Sequence, residues 1–339
     1  MTLPQSPRRV LVTGVTGQLG YYVAEQLTKQ GHIVFGVERQ TTLARSGGPA
    51  PVPYQPVSGD LLDDFSLMTL LETTQPDELY NFAAQSFIPA SWQQPALTAQ
   101  YTALGVVRLL EALRRAAPRC RFLQAGSSEL FAGGTLSPQD ELTPVIPRNP
   151  YGVAKAFAHH TVRVYREHYG LFAANAIFFT NESPRRSPEF LFRKVTHGVA
   201  AIRAGRSSEL ILGSLEAYRD WGWAPDFADA ATRILRLEHP DDFVIATGEA
   251  NTVGDLVSLA FSLVGLKHEQ FLRIDPAFVR ATEAIKLIGI PHKAAAMLDW
   301  RPTVRFDQLV RRLLAHDLTS FGLNPAEAMT PDELVASQN

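Results

Sequence analysis

Residues 9–13, Arg-Val-Leu-Val-Thr, form a short apolar run that ends in Gly14-x-x-Gly17-x-x-Gly20, and residues 21–30 then carry helical spacing (Val23, Leu27) up to a stop at Gly31. A strand, a glycine turn and a helix in that order predict the opening unit of a parallel sheet. The glycines permit a tight turn and close backbone approach, so the amides and the helix N-terminus can hold a pyrophosphate. Further strands are predicted at 32–37, 79–84, 121–125 and 173–180, with helices at 67–73 and 103–116 between them. Strands alternating with helices give an α/β fold, a doubly wound parallel sheet. The alternation lapses at 181–188, where a smaller lobe is expected to begin, and residues 243–248 read as one more strand returning to the sheet. The expected domains are therefore discontinuous: 1–180 with 218–248 for the dinucleotide, 181–217 with 249–325 for the substrate lobe, and a tail over 326–339. Residues 43–57, rich in glycine and proline, read as a surface loop, and the stretch from 249 to about 319 reads as helical with proline breaks.

The chain has 339 residues, 45% hydrophobic and 19% charged, as in ordinary soluble proteins. A net charge of −2 gives no basic footprint for nucleic acid and no polybasic stretch for an anionic membrane. Residues 1–7 lack the apolar core of a signal peptide and no window resembles a membrane span, so a cytoplasmic protein is expected. Cys120 is the only cysteine, which rules out an intrachain disulfide and predicts buried filler, with no metal site. His159, His160 and His168 do not share a metal-binding face, and Trp221 and Trp223 read as filling of a lobe interface.

Chemistry is concentrated at three places. Pro150-Tyr151-Gly152-Val153-Ala154-Lys155 sets a tyrosine and a lysine one helical turn apart, on one face. A free tyrosine hydroxyl titrates near ~10 and is a poor base at neutral pH, but a neighbouring ammonium and a cationic nicotinamide favour the phenolate. The pair is thus an acid/base device for hydride transfer. Gly126-Ser127-Ser128-Glu129 follows the fourth strand, at the carboxyl edge where such sheets bind ligands; a hydroxyl there can bond the oxygen that Tyr151 deprotonates, and a glutamate can move a proton on the adjacent carbon. At the end of the second strand, Glu38 suits the ribose hydroxyls of NAD and Arg39 the extra phosphate of NADP, and Asp60 could accept from the adenine amino group or merely cap a helix.

With these motifs in hand, the chain resembles the extended short-chain dehydrogenases/reductases, Rossmann-like enzymes, and more narrowly the GDP-mannose 4,6-dehydratase family. The narrower resemblance rests on Thr16-Gly17-Gln18, Tyr80-Asn81-Phe82-Ala83-Ala84-Gln85-Ser86, Asn181-Glu182-Ser183-Pro184-Arg185-Arg186, Arg193-Lys194 and Leu215-Glu216-Ala217-Tyr218-Arg219-Asp220-Trp221-Gly222, and runs from about residue 10 to 314. It implies catalysis by Ser127, Glu129 and Tyr151, with Lys155 orienting the nicotinamide ribose and lowering the tyrosine pKa. It implies cofactor contacts at Gly14, Thr16, Gly17, Gln18, Leu19, Gly20, Glu38, Arg39, Asp60, Leu61, Ala83, Ala84, Gln85, Ser86, Asn181 and Arg186. For the nucleotide sugar it implies Ser86, Ser128 and Thr180, with Lys194, Arg219, Arg280 and Glu283 holding the diphosphate. Departures from the family pattern lie at Leu19, Thr180, Asn181, Ala281 and the Glu38-Arg39-Gln40-Thr41 segment, and Ser127 stands where threonine is usual.

The activity so implied is 4,6-dehydration of a GDP-hexose by internal hydride transfer through NADP, or NAD, in a homo-oligomer, dimer or tetramer. Two alternatives stay open. A 4-keto-6-deoxy sugar reductase or an epimerase would use the same tyrosine and lysine, and a non-catalytic nucleotide-binding homologue would keep the fold alone.

Overall fold

The computed structural model describes residues 6–39, 52–276 and 286–330. Seven strands make one parallel sheet: β1 (Arg9–Thr13), β2 (Ile33–Glu38), β3 (Gln55–Ser58), β4 (Glu78–Asn81), β5 (Arg121–Ala125), β6 (Ala173–Phe178) and, after four short strands, β11 (Asp242–Ile245). Their spatial order is β11-β6-β5-β4-β1-β2-β3, so the chain reverses direction across the sheet between β1 and β4. Ligand crevices in doubly wound folds open at that reversal, beyond the carboxyl ends of the strands. The central strands are buried along their length, which is why they read as continuous apolar runs.

Two cores cover the faces of the sheet. One gathers Val10, Val12, Val23 and Leu27 with Phe227, Ile234, Phe243, Ala294, Leu298 and Trp300, so that helices Gln18–Lys29, Ala224–Ile234 and His292–Leu298 lie on a single face. The other places Leu67, Leu71, Leu109, Leu113 and Val162 against Leu11, Leu79 and Phe122. A third core builds the lobe from helices Leu191–Arg203, Val253–Ser262 and Phe306–Ser320, with Trp221 buried against Phe192 and Phe306. Cys120 is buried, as expected.

Three local expectations are corrected. Gln55–Ser58, predicted as loop up to residue 57, is an edge strand paired with β2 from Phe35↔Gln55 to Glu38↔Ser58. Its Pro56 is tolerated there because an edge strand need not donate on both sides. The lobe is not purely helical: β8 (Leu210–Leu212) pairs with β13 (Leu272–Ile274), and β9 (Tyr218–Arg219) with β12 (Asn251–Thr252). Finally, the start of the predicted tail is packed, since Ala328, in the short helix Pro325–Ala328, and Met329 join the lobe core.

Candidate active site

One large cleft, about 990 Å³, opens at the carboxyl ends of β1, β4, β5 and β6 and runs between the sheet and the lobe. Its floor is the glycine turn. Gly14 has φ +64°, and a Cβ there would lie 2.7 Å from the Ala83 amide nitrogen; one on Gly20 would collide with the Gly14 carbonyl. The loop is therefore folded flat against β4 and against its own helix, in a form only glycine allows. The helix Gln18–Lys29 that follows has no side-chain cap, so its first amides face the cleft as an anion cradle suited to a diphosphate.

The catalytic candidates converge on the same cleft. Helix Pro150–Tyr169 begins with Asn149 as its cap, the Asn149 Oδ1 accepting from the Gly152 amide at 2.8 Å. One turn in, Tyr151 and Lys155 are both buried on the face that meets β5, with the ammonium 5.7 Å from the tyrosine ring centre. Lys155 Nζ donates to the Ala125 carbonyl at 2.7 Å, and burial lowers its pKa to about 8. Burial pushes the Tyr151 hydroxyl up to about 12; a hydrogen bond with Ser127 pulls it down, Glu129 raises it and Arg186 lowers it. Arg186 thus favours the ionised form of Tyr151, while the Lys155 ammonium is held by a backbone carbonyl.

Glu129 sits in the turn Ser128–Leu130, whose amide contacts the Ser127 hydroxyl at 3.3 Å. Its Oε2 accepts from Asn149 Nδ2 at 2.7 Å. A Cβ on Gly152 would stand 2.8 Å from the Glu129 carbonyl, so the Ser128–Leu130 turn and the helix start are packed in contact. Asn149 was not singled out from the sequence, although an asparagine before Pro150 at a helix start is a recognisable cap signal.

The cleft collects Gly14, Thr16, Gly17, Gln18, Leu19, Gly20, Ala83, Ala84 and Ser86 from the sheet side, and Thr180, Asn181, Arg186, Lys194 and Arg219 from the lobe side. Gln18 and Asn181 bond each other rather than standing free: Gln18 Nε2 donates to Asn181 Oδ1 at 2.7 Å, and Ser183 Oγ donates to Gln18 Oε1 at 2.6 Å. This clamps the glycine turn to the first turn of the lobe. Phe87 and Phe190, unremarked in the sequence, meet edge-to-face across the cleft with centres 5.5 Å apart. Glu38, Arg39, Asp60, Leu61 and Gln85 lie outside the lining. Glu38 is buried and accepts from the Tyr54 hydroxyl at 2.8 Å, Arg39 is exposed, Asp60 accepts from the Leu62 amide, and Leu61 fills the core. Arg280 and Glu283 fall outside the described residues.

Comparison with known proteins agrees with this geometry. The sequence profile described as GDP-mannose 4,6 dehydratase matches residues 11–313. The chain is 41% identical to GDP-mannose 4,6 dehydratase 1 of Arabidopsis thaliana over 92% of this chain and 90% of that protein. It is 37% identical to the human GDP-mannose 4,6 dehydratase over 94% of each. Among solved structures, the dTDP-glucose 4,6-dehydratase of Bacillus anthracis, in complex with NAD, superimposes with a TM-score of 0.77 at 20% identity, covering 91% of this chain and 95% of that one. The profile match over residues 11–313 and 37–41% identity to these relatives along nearly the whole chain place this protein in the GDP-mannose 4,6-dehydratase family.

Proposed function

We propose that the chain dehydrates a GDP-linked hexose of the mannose type to its 4-keto-6-deoxy derivative, with a bound nicotinamide dinucleotide recycled within each turnover. The observation that carries this is Glu129: a carboxylate in the same cleft as Tyr151, aimed by Asn149. Tyr151, beside Ser127 in the cleft, takes the proton of the hydroxyl at carbon 4. The chemistry a bound nicotinamide supplies is acceptance of hydride from carbon 4 and its return to carbon 6. Glu129 removes the proton at carbon 5, made acidic by the new ketone, and delivers it to the hydroxyl leaving carbon 6. Lys155 holds the floor of the site through Ala125, while Lys194 and Arg219 face the diphosphate from the lobe side.

NADP is the proposed cofactor. Tyr54 binds the Glu38 carboxylate inward, which leaves exposed Arg39 at the end of β2 to take a phosphate. NAD is the alternative, because Glu38 Oε2 is buried without a partner and suits a ribose hydroxyl. A homo-oligomer is part of the same proposal. Val153, Phe157 and Val164 project from one side of helix Pro150–Tyr169, and Leu97 and Leu104 are exposed on the segment packed beside it. Phe157→Asp is expected to release monomers in light scattering. Among the described residues no helix is long and apolar enough to cross a membrane.

The test is a panel of GDP-, UDP-, CDP- and dTDP-hexoses with products followed by mass. Loss of one water from a GDP-hexose supports the reading, whereas steady consumption of reduced cofactor on a 4-keto sugar replaces it with the reductase. Glu129→Gln separates the same readings. It should stall after the first half-reaction, with reduced cofactor accumulating.

A further inference from the structure

Glu182 is a carboxylic acid buried in the cleft wall that no step above uses. It ends β7 (Thr180–Glu182), which pairs with β10 (Trp221–Trp223) in the register Trp223↔Glu182. The residue is 1% exposed and lines the cleft. Its Oε2 lies 3.7 Å from Arg186 Nε, beyond hydrogen-bond reach, and both atoms are buried with no hydrogen-bond partner. Two unpartnered buried groups of opposite charge facing each other form a pair that a small closure would complete.

The surroundings leave Glu182 one partner to serve. The charged groups facing it are Arg186, in the turn that follows, and Arg193, on helix Leu191–Arg203; the strand beside it contributes only Trp221, Gly222 and Trp223. Arg193 is already committed. Its Nη2 donates to Asp317 Oδ1 at 2.5 Å, and its Nη1 donates to the Pro184 carbonyl at 2.5 Å and the Arg186 carbonyl at 3.1 Å. Arg186 is not: its guanidinium lies 3.6 Å over the Phe190 ring, and Phe190 meets Phe87 across the cleft. The Arg186 charge also favours the ionised form of Tyr151.

We propose that Glu182 is a positioning residue which fixes the Arg186 guanidinium on Phe190 in the cleft wall, so that the arginine reaches both the anionic groups of the dinucleotide and the Tyr151 hydroxyl. This rests on the dehydratase reading of the cleft. It predicts a pH dependence in binding, because burial pushes the Glu182 carboxyl up to about 7 against the pull of Arg186 and Arg193. Below that pH the carboxyl is neutral and the arginine loses its anchor; above it the anchor is complete.

The experiment is a double-mutant cycle on dinucleotide affinity, read by quenching of protein fluorescence in Glu182→Gln, Arg186→Gln and the double variant, at pH 6 and pH 8. Glu182→Gln should weaken binding about tenfold at pH 8, comparable to losing an outer partner at a ligand site. At pH 6 it should match the wild type, and it should change nothing when Arg186 is already glutamine. Glu182→Asp should recover part of the loss. Should the glutamine variant melt early, the aspartate variant carries the same cycle. Tighter binding in Glu182→Gln would mean that the carboxylate merely neutralises Arg186 and would overturn the proposal. An equal loss with and without Arg186 would overturn it too. Wild-type protein that binds no nicotinamide dinucleotide refutes the functional reading, whereas binding that ignores Glu182 refutes only this inference.

Discussion

Asn149 does two jobs with two ends of one amide, and substitutions can separate them. Its Oδ1 caps helix Pro150–Tyr169 at the Gly152 amide, and its Nδ2 donates to Glu129 Oε2 at 2.7 Å. Asn149→Asp keeps an oxygen for the cap, which is worth about 1 kcal/mol, so the melting temperature should hold. It replaces the donor by a second carboxylate, however. A hydrogen bond to a charged group contributes roughly 1.5–3 kcal/mol, and its loss alone is a factor of about ten to a hundred in rate if Glu129 acts in the rate-limiting step. Asn149→Ser keeps the cap and only removes the donor. It should lose rate to a similar degree. Single-turnover absorbance, following reduced cofactor, measures both. Wild-type rates in the aspartate variant would show that Glu129 does not work through its carboxylate and is simply a member of the turn that Ser127 caps.

Tyr151→Phe removes one oxygen and little volume, so turnover should fall by about a hundred- to ten-thousand-fold while the dissociation constant for the dinucleotide stays unchanged. Lys155 loses its proton as the pH rises through about 8, so kcat should decline above that pH; Lys155→Arg, which stays charged, should abolish that alkaline limb even if the overall rate drops, and a limb left in place would assign it to another group. Arg39→Ala should weaken NADP binding about tenfold or more with little effect on NAD; tighter NAD binding by the unmodified protein, indifferent to this substitution, would mean that Glu38 governs.

What the sequence made legible was local. The glycine turn, the Tyr-Lys spacing and the Ser-Ser-Glu segment each declare their chemistry within a few residues, and the fold merely carries them to one strand edge. Gln55–Ser58 was illegible because four residues with a proline have no periodicity of their own; pairing with β2 makes them a strand. The Gln18–Asn181 clamp joins residues 163 apart, so nothing local could show that two cofactor candidates would spend their side chains on each other. Asn149 and Glu129 were each visible as cap and acid, yet the bond between them exists only once the helix is laid against the turn.

The tyrosine itself shows why spacing was an incomplete guide to mechanism. On one helical face the lysine was expected to make Tyr151 a base, but burial acts on both groups in the direction that leaves both neutral, raising the phenol to about 12 and lowering the ammonium to about 8. At neutral pH such a tyrosine is phenolate in roughly one molecule in a hundred thousand. A useful base therefore requires groups that favour the phenolate; the Lys155 ammonium, 5.7 Å from the ring centre, keeps N–H donors beyond the one given to the Ala125 carbonyl. A hydrogen bond with Ser127 and the charge of Arg186 both favour the ionised form. Arg186 rests in turn on Phe190 and faces Glu182, which makes the protonation of a carboxylate in the lobe a lever on a tyrosine in the sheet domain. Groups on both sides of the cleft therefore bear on the Tyr151 hydroxyl, Ser127 from the sheet side and Arg186 from the lobe side.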